Sequence, residues 1–258
     1  MAHTARRFNP DWFTWVTFAI FIAQVGGDYF YYYFTHYHTD QRDAHTKVFA
    51  GWKPLFTGTL LNPEHTVFAG TVCLLLAFFI GIFYYIQLGN TVILLAGIGG
   101  AVAVFFTPLM LRGFKEPVIF ITFGPLVMLS VYYVLSRELS ITPVWVSLPA
   151  AFLVTLVAYL ISARFEVQET DSGRIVLNVN VNTIRWLAGL AYLSLVVLII
   201  IRIIPAWSIL ALITLPFEYL ITKNISQEQK VIDYLWATVF SLIVYVVTGG
   251  LVALGFML

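Results

Sequence analysis

Apolar residues run through this chain in eight long blocks separated by polar gaps: A (about 12–34), B (66–88), C (91–107), D (117–136), E (142–163), F (185–203), G (205–221) and H (232–257). Blocks of roughly 17 to 26 residues, wound as helices, match the ~30 Å hydrocarbon core of a bilayer. No ten-residue alternation of apolar and polar positions recurs, which argues against a membrane barrel. The pattern predicts an all-α, polytopic membrane bundle of eight transmembrane helices. Gly89–Asn90 and Ile204–Pro205 leave almost no chain between B and C or between F and G, so each pair forms an antiparallel hairpin. Pro125, Pro149 and Pro216 fall inside helices and predict kinks. Gly97, Gly99, Gly100, Gly249 and Gly250 predict close helix approach. Long charged gaps follow the first and fifth segments, at 35–65 and 164–184. Their recurrence points to two related four-helix halves, about 11–136 and 142–258, within a single integral-membrane domain.

Composition agrees with lipid as the solvent. The 258 residues are 60% apolar and 10% charged, with mean hydropathy +0.88. The single cysteine, Cys73, excludes a disulfide framework. A net charge of +1 without a dense Lys/Arg run excludes a nucleic-acid partner. Segment A is longer than a signal-peptide core and lacks a small-residue cleavage site, so it is expected in the mature protein. Ten of the 14 basic residues fall in four alternate gaps: Arg42, Lys47 and Lys53; Arg112 and Lys115; Arg164, Arg174 and Arg185; Lys223 and Lys230. Arg6, Arg7, Arg137 and Arg202 fall on the other side. The positive-inside rule then places the charged loops in the cytoplasm and both termini outside the cell membrane. Trp12, Trp15, Trp52, Trp145, Trp186 and Trp207 lie near segment ends, as an interfacial belt requires.

Candidate chemistry gathers at the charged side. Asp28 is a carboxylate well inside segment A, where it needs a polar cavity or a partner; the partners on offer are Gln24 or a tyrosine hydroxyl. Tyr31, Tyr32 and Tyr33 follow it, in a cluster that serves helix packing or, by its ring faces, a carbocation. Asp40 and Asp43, with His36, His38 and His45 nearby, form the richest set of potential metal ligands, and two carboxylates three residues apart share a helical face. Glu166, Glu169 and Asp171 form a second acidic loop. Lys53, Arg112, Lys115 and Arg174 are placed to hold an anion between the two loops. Glu116 follows Arg112 by four residues, the spacing of a helical ion pair. Glu218 lies near Lys223 at the end of segment G and is expected to reach the interface.

The stretch from Thr107 to Glu138, TPLMLRGFKEPVIFITFGPLVMLSVYYVLSRE, resembles the UbiA superfamily of membrane prenyltransferases, in which a Pro-Leu-x-Leu-x-x-x-Gly-x-Gly-Glu stretch leads into Phe-x-x-Phe-Gly-Pro-Leu. It is most similar to the 1,4-dihydroxy-2-naphthoate prenyltransferase branch. Gln24-Val-Gly, Gly51-Trp-Lys53 and the E/F loop extend the likeness over most of the chain. The resemblance implies a UbiA-like helical fold around a lipid-open cavity, with two Asp-rich motifs binding Mg²⁺ and an isoprenoid diphosphate. Asp28 and Asp171 keep acids at aligned motif positions and are the expected catalytic pair; with Asp40, Asp43 and Glu169 they are expected to rebuild a shifted metal site, a rearrangement of the family's pattern. Lys53, Arg112, Lys115, Arg174, Tyr31 and Tyr32 then meet the substrate. The family has nine helices, and this chain is expected to lack the first. The first motif, Asn-x-x-Asn-Asp-x-x-Asp, aligns with Asp28, Tyr31, Tyr32 and Thr35, and the second, Asp-x-x-x-Asp, with Val167 and Asp171.

Two functions follow as expectations. One is transfer of an isoprenoid from its diphosphate to an aromatic, quinone-precursor or other lipid-like acceptor. The other, favoured by the tyrosines at acidic positions, is a catalytically inactive relative that binds a quinone or isoprenoid lipid, or serves as a membrane subunit alongside a protein partner.

Overall fold

The computed structural model describes residues 9–37, 63–162, 165–166, 174–177, 179–226 and 228–257. Its helices are α1 (Pro10–Tyr37), α2 (Pro63–Leu88), α3 (Asn90–Leu111), α4 (Lys115–Ile121), α5 (Val127–Ser136), α6 (Thr142–Ile161), α7 (Val181–Ile200), α8 (Leu215–Asn224) and α9 (Val231–Gly255). A π-helical turn, Thr122–Leu126, joins α4 to α5, and a 3₁₀ stretch, Ala206–Thr214, leads into α8. Among the described residues, seven helical stretches are long and apolar enough to cross a membrane, matching segments B to H. Segment A forms the 28-residue α1, which is not among the seven. Its Gln24, Asp28 and tyrosines make it more polar. Large apolar side chains line the outsides of the helices, among them Phe68, Ile86, Leu193 and Val246, as expected where lipid is the solvent.

For the described residues, the chain divides between Val144 and Trp145 into two compact units. In the first, Val16 of α1, Tyr84 of α2, Val92 and Leu95 of α3, and Tyr133 and Val134 of α5 form the core. Asn9 caps α1, its Oδ1 accepting from the backbone N–H groups of Asp11 and Trp12 at 3.0 and 3.1 Å. Trp12 is half-buried. Its ring meets Tyr84 edge-on at 5.6 Å, and the Arg137 guanidinium lies over it at 5.2 Å. The Tyr84 hydroxyl donates to the Trp12 carbonyl (2.7 Å), and the Tyr133 hydroxyl to that of Leu88 (3.0 Å).

The expected glycine contacts are corrected. A Cβ at Gly97, Gly99, Gly100, Gly249 or Gly250 would meet nothing within 4 Å. Close approach occurs instead where α1 crosses α2: a Cβ on Gly26 would sit 3.1 Å from the Gly70 carbonyl, and one on Gly70 3.2 Å from that of Gly26. In the second unit, Gly255 of α9 abuts the backbone of Ser208. Proline behaves position by position. Pro149 lies inside α6, Pro125 occupies the π turn, and Pro216 starts α8 rather than interrupting a helix.

The second unit packs α6, α7 and α9 around Leu156, Leu160, Ile184, Ala188 and Tyr234. Asn180 caps α7, accepting from the N–H groups of Asn182 and Thr183. The E/F gap, read from sequence as a loop, contains β1 (Phe165–Glu166) and β2 (Arg174–Leu177), and the gap before α9 contains β3 (Glu228–Lys230). They form one antiparallel sheet in the order β1-β2-β3, with Arg174 opposite Lys230 and Val176 opposite Glu228. This ribbon gathers at one end of the unit the places where α6 and α8 finish and where α7 and α9 begin.

Candidate functional sites

Two polar features stand out against the apolar helices, one in each unit. In the first unit, α1 places positions 28, 31, 32 and 35 on one stripe, by the helical repeat. Asp28 is exposed, and its Oδ1 accepts from Gln24 Nε2 at 2.9 Å, one turn earlier. Of the two partners the sequence offered, Gln24 is the one found. Tyr31 lies edge-on to Phe106 of α3 at 6.0 Å; Tyr32 belongs to the same helix. Tyr33, Glu64, Val67, Phe68 and Thr71 line a shallow cavity of about 440 Å³ between α1 and α2.

Arg112 and Lys115 stand together at the turn between α3 and α4, where Gly113 takes φ +85°. Arg112 is exposed and Lys115 half-buried. That turn overrides the expected i,i+4 relation between Arg112 and Glu116: Arg112 ends one helix, and Glu116 sits in the first turn of the next, where its charge complements the helix dipole. Downstream, the Thr-Phe-Gly-Pro-Leu run of the resemblance is the π turn itself, and the Thr122 hydroxyl there is buried without a hydrogen-bond partner. Single π turns inside α-helices are frequent at functional positions.

Lys53, Asp40, Asp43, Glu169 and Asp171 lie outside the described residues, as do His38 and His45. Arg174 is described as a β2 backbone position. Among the described residues no three His, Cys, Asp or Glu side chains gather as a metal site. Asp28 alone, with one oxygen engaged by Gln24 and tyrosine or threonine at the other positions of its stripe, does not fit a divalent cation, which takes several oxygen ligands.

The second unit holds the more developed site, and sequence reasoning missed it. A cavity of about 460 Å³ lies between α7 and α8. Arg185, Ala188, Gly189 and Tyr192 line it from α7, and Leu215, Glu218, Tyr219, Thr222 and Lys223 from α8. Glu218 does not reach the interface as expected; it is 0% exposed. Ser241 Oγ of α9 donates to its Oε1 at 3.3 Å, while Oε2 has no hydrogen-bond partner. Leaving a buried carboxyl oxygen unmatched carries a desolvation penalty of about 1–3 kcal/mol or more. Beside it the Tyr192 hydroxyl pairs with Thr214 Oγ1 at 2.9 Å, which pairs in turn with Thr248 Oγ1 at 2.7 Å. Arg185 and Lys223 are both exposed, and Lys223 Nζ lies 5.9 Å from the Tyr219 ring centre. The arrangement is an apolar cleft with cations at its rim and a carboxyl at depth.

In comparisons with known proteins, no family model matches the chain, and neither does any curated protein or solved structure.

Proposed function

We propose that the chain is an eight-span, UbiA-like intramembrane protein that transfers an isoprenoid from its diphosphate to an aromatic, quinone-precursor or lipid-like acceptor. The observation that supports this reading most is the folding of Thr107–Glu138. Where the sequence resembles the prenyltransferases, the helix ends at a Gly113 turn bearing Arg112 and Lys115, and a π turn holding Pro125 follows. Two cations on one tight turn suit the leaving diphosphate, whose charge they offset as the allylic bond breaks. Lys53 and Arg174 are assigned to the diphosphate by the resemblance alone, as Tyr31 and Tyr32 are to the isoprenoid. The resemblance brings Mg²⁺ with it, and the acids offered to it, Asp40, Asp43, Glu169 and Asp171, lie outside the described residues; the charged loops are cytoplasmic in this reading.

The test is turnover. Purified protein with Mg²⁺, geranylgeranyl diphosphate and a naphthoate or benzoate acceptor should release diphosphate, and Asp171→Ala should abolish the release. Failure of the wild type with every acceptor would overturn the transferase reading.

One observation favours a second reading. Asp28 is engaged by Gln24, and Tyr31, at a position where the resembled motif has a polar ligand, packs on Phe106. A retired relative that holds a quinone or isoprenoid lipid, or that supports a protein partner in a membrane complex, would look the same there. Thermal protection by a quinone without turnover, or a stoichiometric partner in a pull-down, would select it.

A further inference from the structure

We propose that the cleft between α7 and α8 binds the headgroup of an anionic membrane phospholipid that also carries a free hydroxyl, of the phosphatidylglycerol kind. This stands apart from the prenyl-transfer reading and does not need it.

The rim supplies the anion's partners. Arg185 in the first turns of α7 and Lys223 in the last turn of α8 line the cleft from its two walls. They lie at the end capped by the ribbon, where Arg174 and Lys230 are paired in register. The ribbon also carries Glu166 and Glu228, and Asp233 lies in the first turn of α9, so this end is mixed in charge and the cations that line the cleft itself are Arg185 and Lys223. An exposed Trp186 beside Arg185 marks this level as the membrane interface.

The depth of the cleft supplies the selectivity. Glu218 precedes Lys223 by five residues, about 7.5 Å along a helix, and is fully buried with Oε2 unpartnered. Such an oxygen asks for a hydrogen-bond donor. A second phosphate brings none and adds like charge, so a diphosphate suits this depth poorly. A headgroup hydroxyl suits it well: phosphate between Arg185 and Lys223, hydroxyl to Glu218, acyl chains leaving along Ala188 and Leu215. The exposed apolar side chains of Leu193, Phe217 and Leu220 continue the same two helices toward lipid.

The experiment, run at about pH 8 or above so that the phosphate monoester is doubly ionised, compares nanodiscs of phosphatidylcholine alone with discs doped with phosphatidylglycerol or with phosphatidic acid, which is anionic but has no headgroup alcohol. Retained lipid is counted by native mass spectrometry and protection by thermal unfolding. Wild type should retain phosphatidylglycerol about tenfold over phosphatidylcholine and several-fold over phosphatidic acid, as charge-assisted hydrogen bonds allow. Arg185→Ala and Lys223→Ala should each erode the first preference. Glu218→Leu should erase the second and leave the first.

Equal retention of phosphatidylglycerol and phosphatidylcholine by the wild type would overturn the proposal, and equal retention of the two anionic lipids would overturn the role of Glu218. Full protection by soluble glycerol 3-phosphate in detergent would overturn the lipid assignment. The three wild-type comparisons decide even if a variant fails to fold.

Discussion

Gln24 Nε2 donates to Asp28 Oδ1 across 2.9 Å, one turn apart on the same helix. The bond gives the carboxylate a partner in an otherwise apolar segment, and it also separates two roles for Asp28. Under the transferase reading, Asp28→Asn should lower diphosphate release by about 100-fold, the scale of losing one electrostatic contact in an active site. Gln24→Ala should cost little turnover. If Asp28 is only structural, both variants should lose similar stability, about 0.5–1.5 kcal/mol, with turnover unchanged. Parallel turnover and unfolding measurements decide.

The glycines should sort by their surroundings. Gly70→Ala places a Cβ 3.1 Å from that of Tyr29 and 3.2 Å from the Gly26 carbonyl, and overpacking of this kind costs about 1–3 kcal/mol. Gly97→Ala meets nothing within 4 Å and should stabilise its helix by up to about 1 kcal/mol. Unfolding midpoints moving in opposite directions would bear out the close α1–α2 crossing.

Arg137 and Arg202 both adopt φ +61°, a left-handed conformation costing a non-glycine residue about 1–2 kcal/mol. Arg202→Gly should therefore raise the unfolding midpoint. Arg137→Gly gives up the contact over Trp12 as well, worth about 0.5–1 kcal/mol at an exposed site, so its gain should be smaller. Equal gains would discount the Arg137–Trp12 contact.

Ser241→Ala removes the hydrogen bond to the Glu218 carboxyl and should destabilise the protein by about 1–3 kcal/mol. In a Glu218→Leu background the same substitution should cost less than about 0.5 kcal/mol, since the group it served is gone. A double-mutant cycle in thermal unfolding measures the difference.

Length and apolarity made the helices legible. Segments B to H sit within a few residues of α2 to α9 because lipid leaves a backbone few alternatives, and Gly89 and Pro205 mark turns in any context. What depends on a distant partner was not legible. Residues 174–176 pair with Glu228–Lys230 across some fifty residues, and a three-residue apolar run gives no sign of it. Gly70 differs from Gly97 only in what crosses it. Glu218 shows the same limit: five residues from a lysine, a carboxylate reads as interfacial until Ser241 and the α7–α8 cleft are seen around it. Of the acids in the two loops assigned to the diphosphate, Asp40, Asp43, Glu169 and Asp171 fall outside the described residues, and Glu166 is described as strand backbone.

The 3₁₀ winding of Ala206–Thr214 has a dimensional consequence. At about 2.0 Å per residue instead of 1.5 Å, those nine residues lengthen a 19-residue span from about 28 Å to about 33 Å. A stretch that would fall slightly short of the ~30 Å hydrocarbon thickness as an α-helix thereby reaches across it with about 3 Å to spare, and Pro216 fixes where the thinner coil gives way to the wider one.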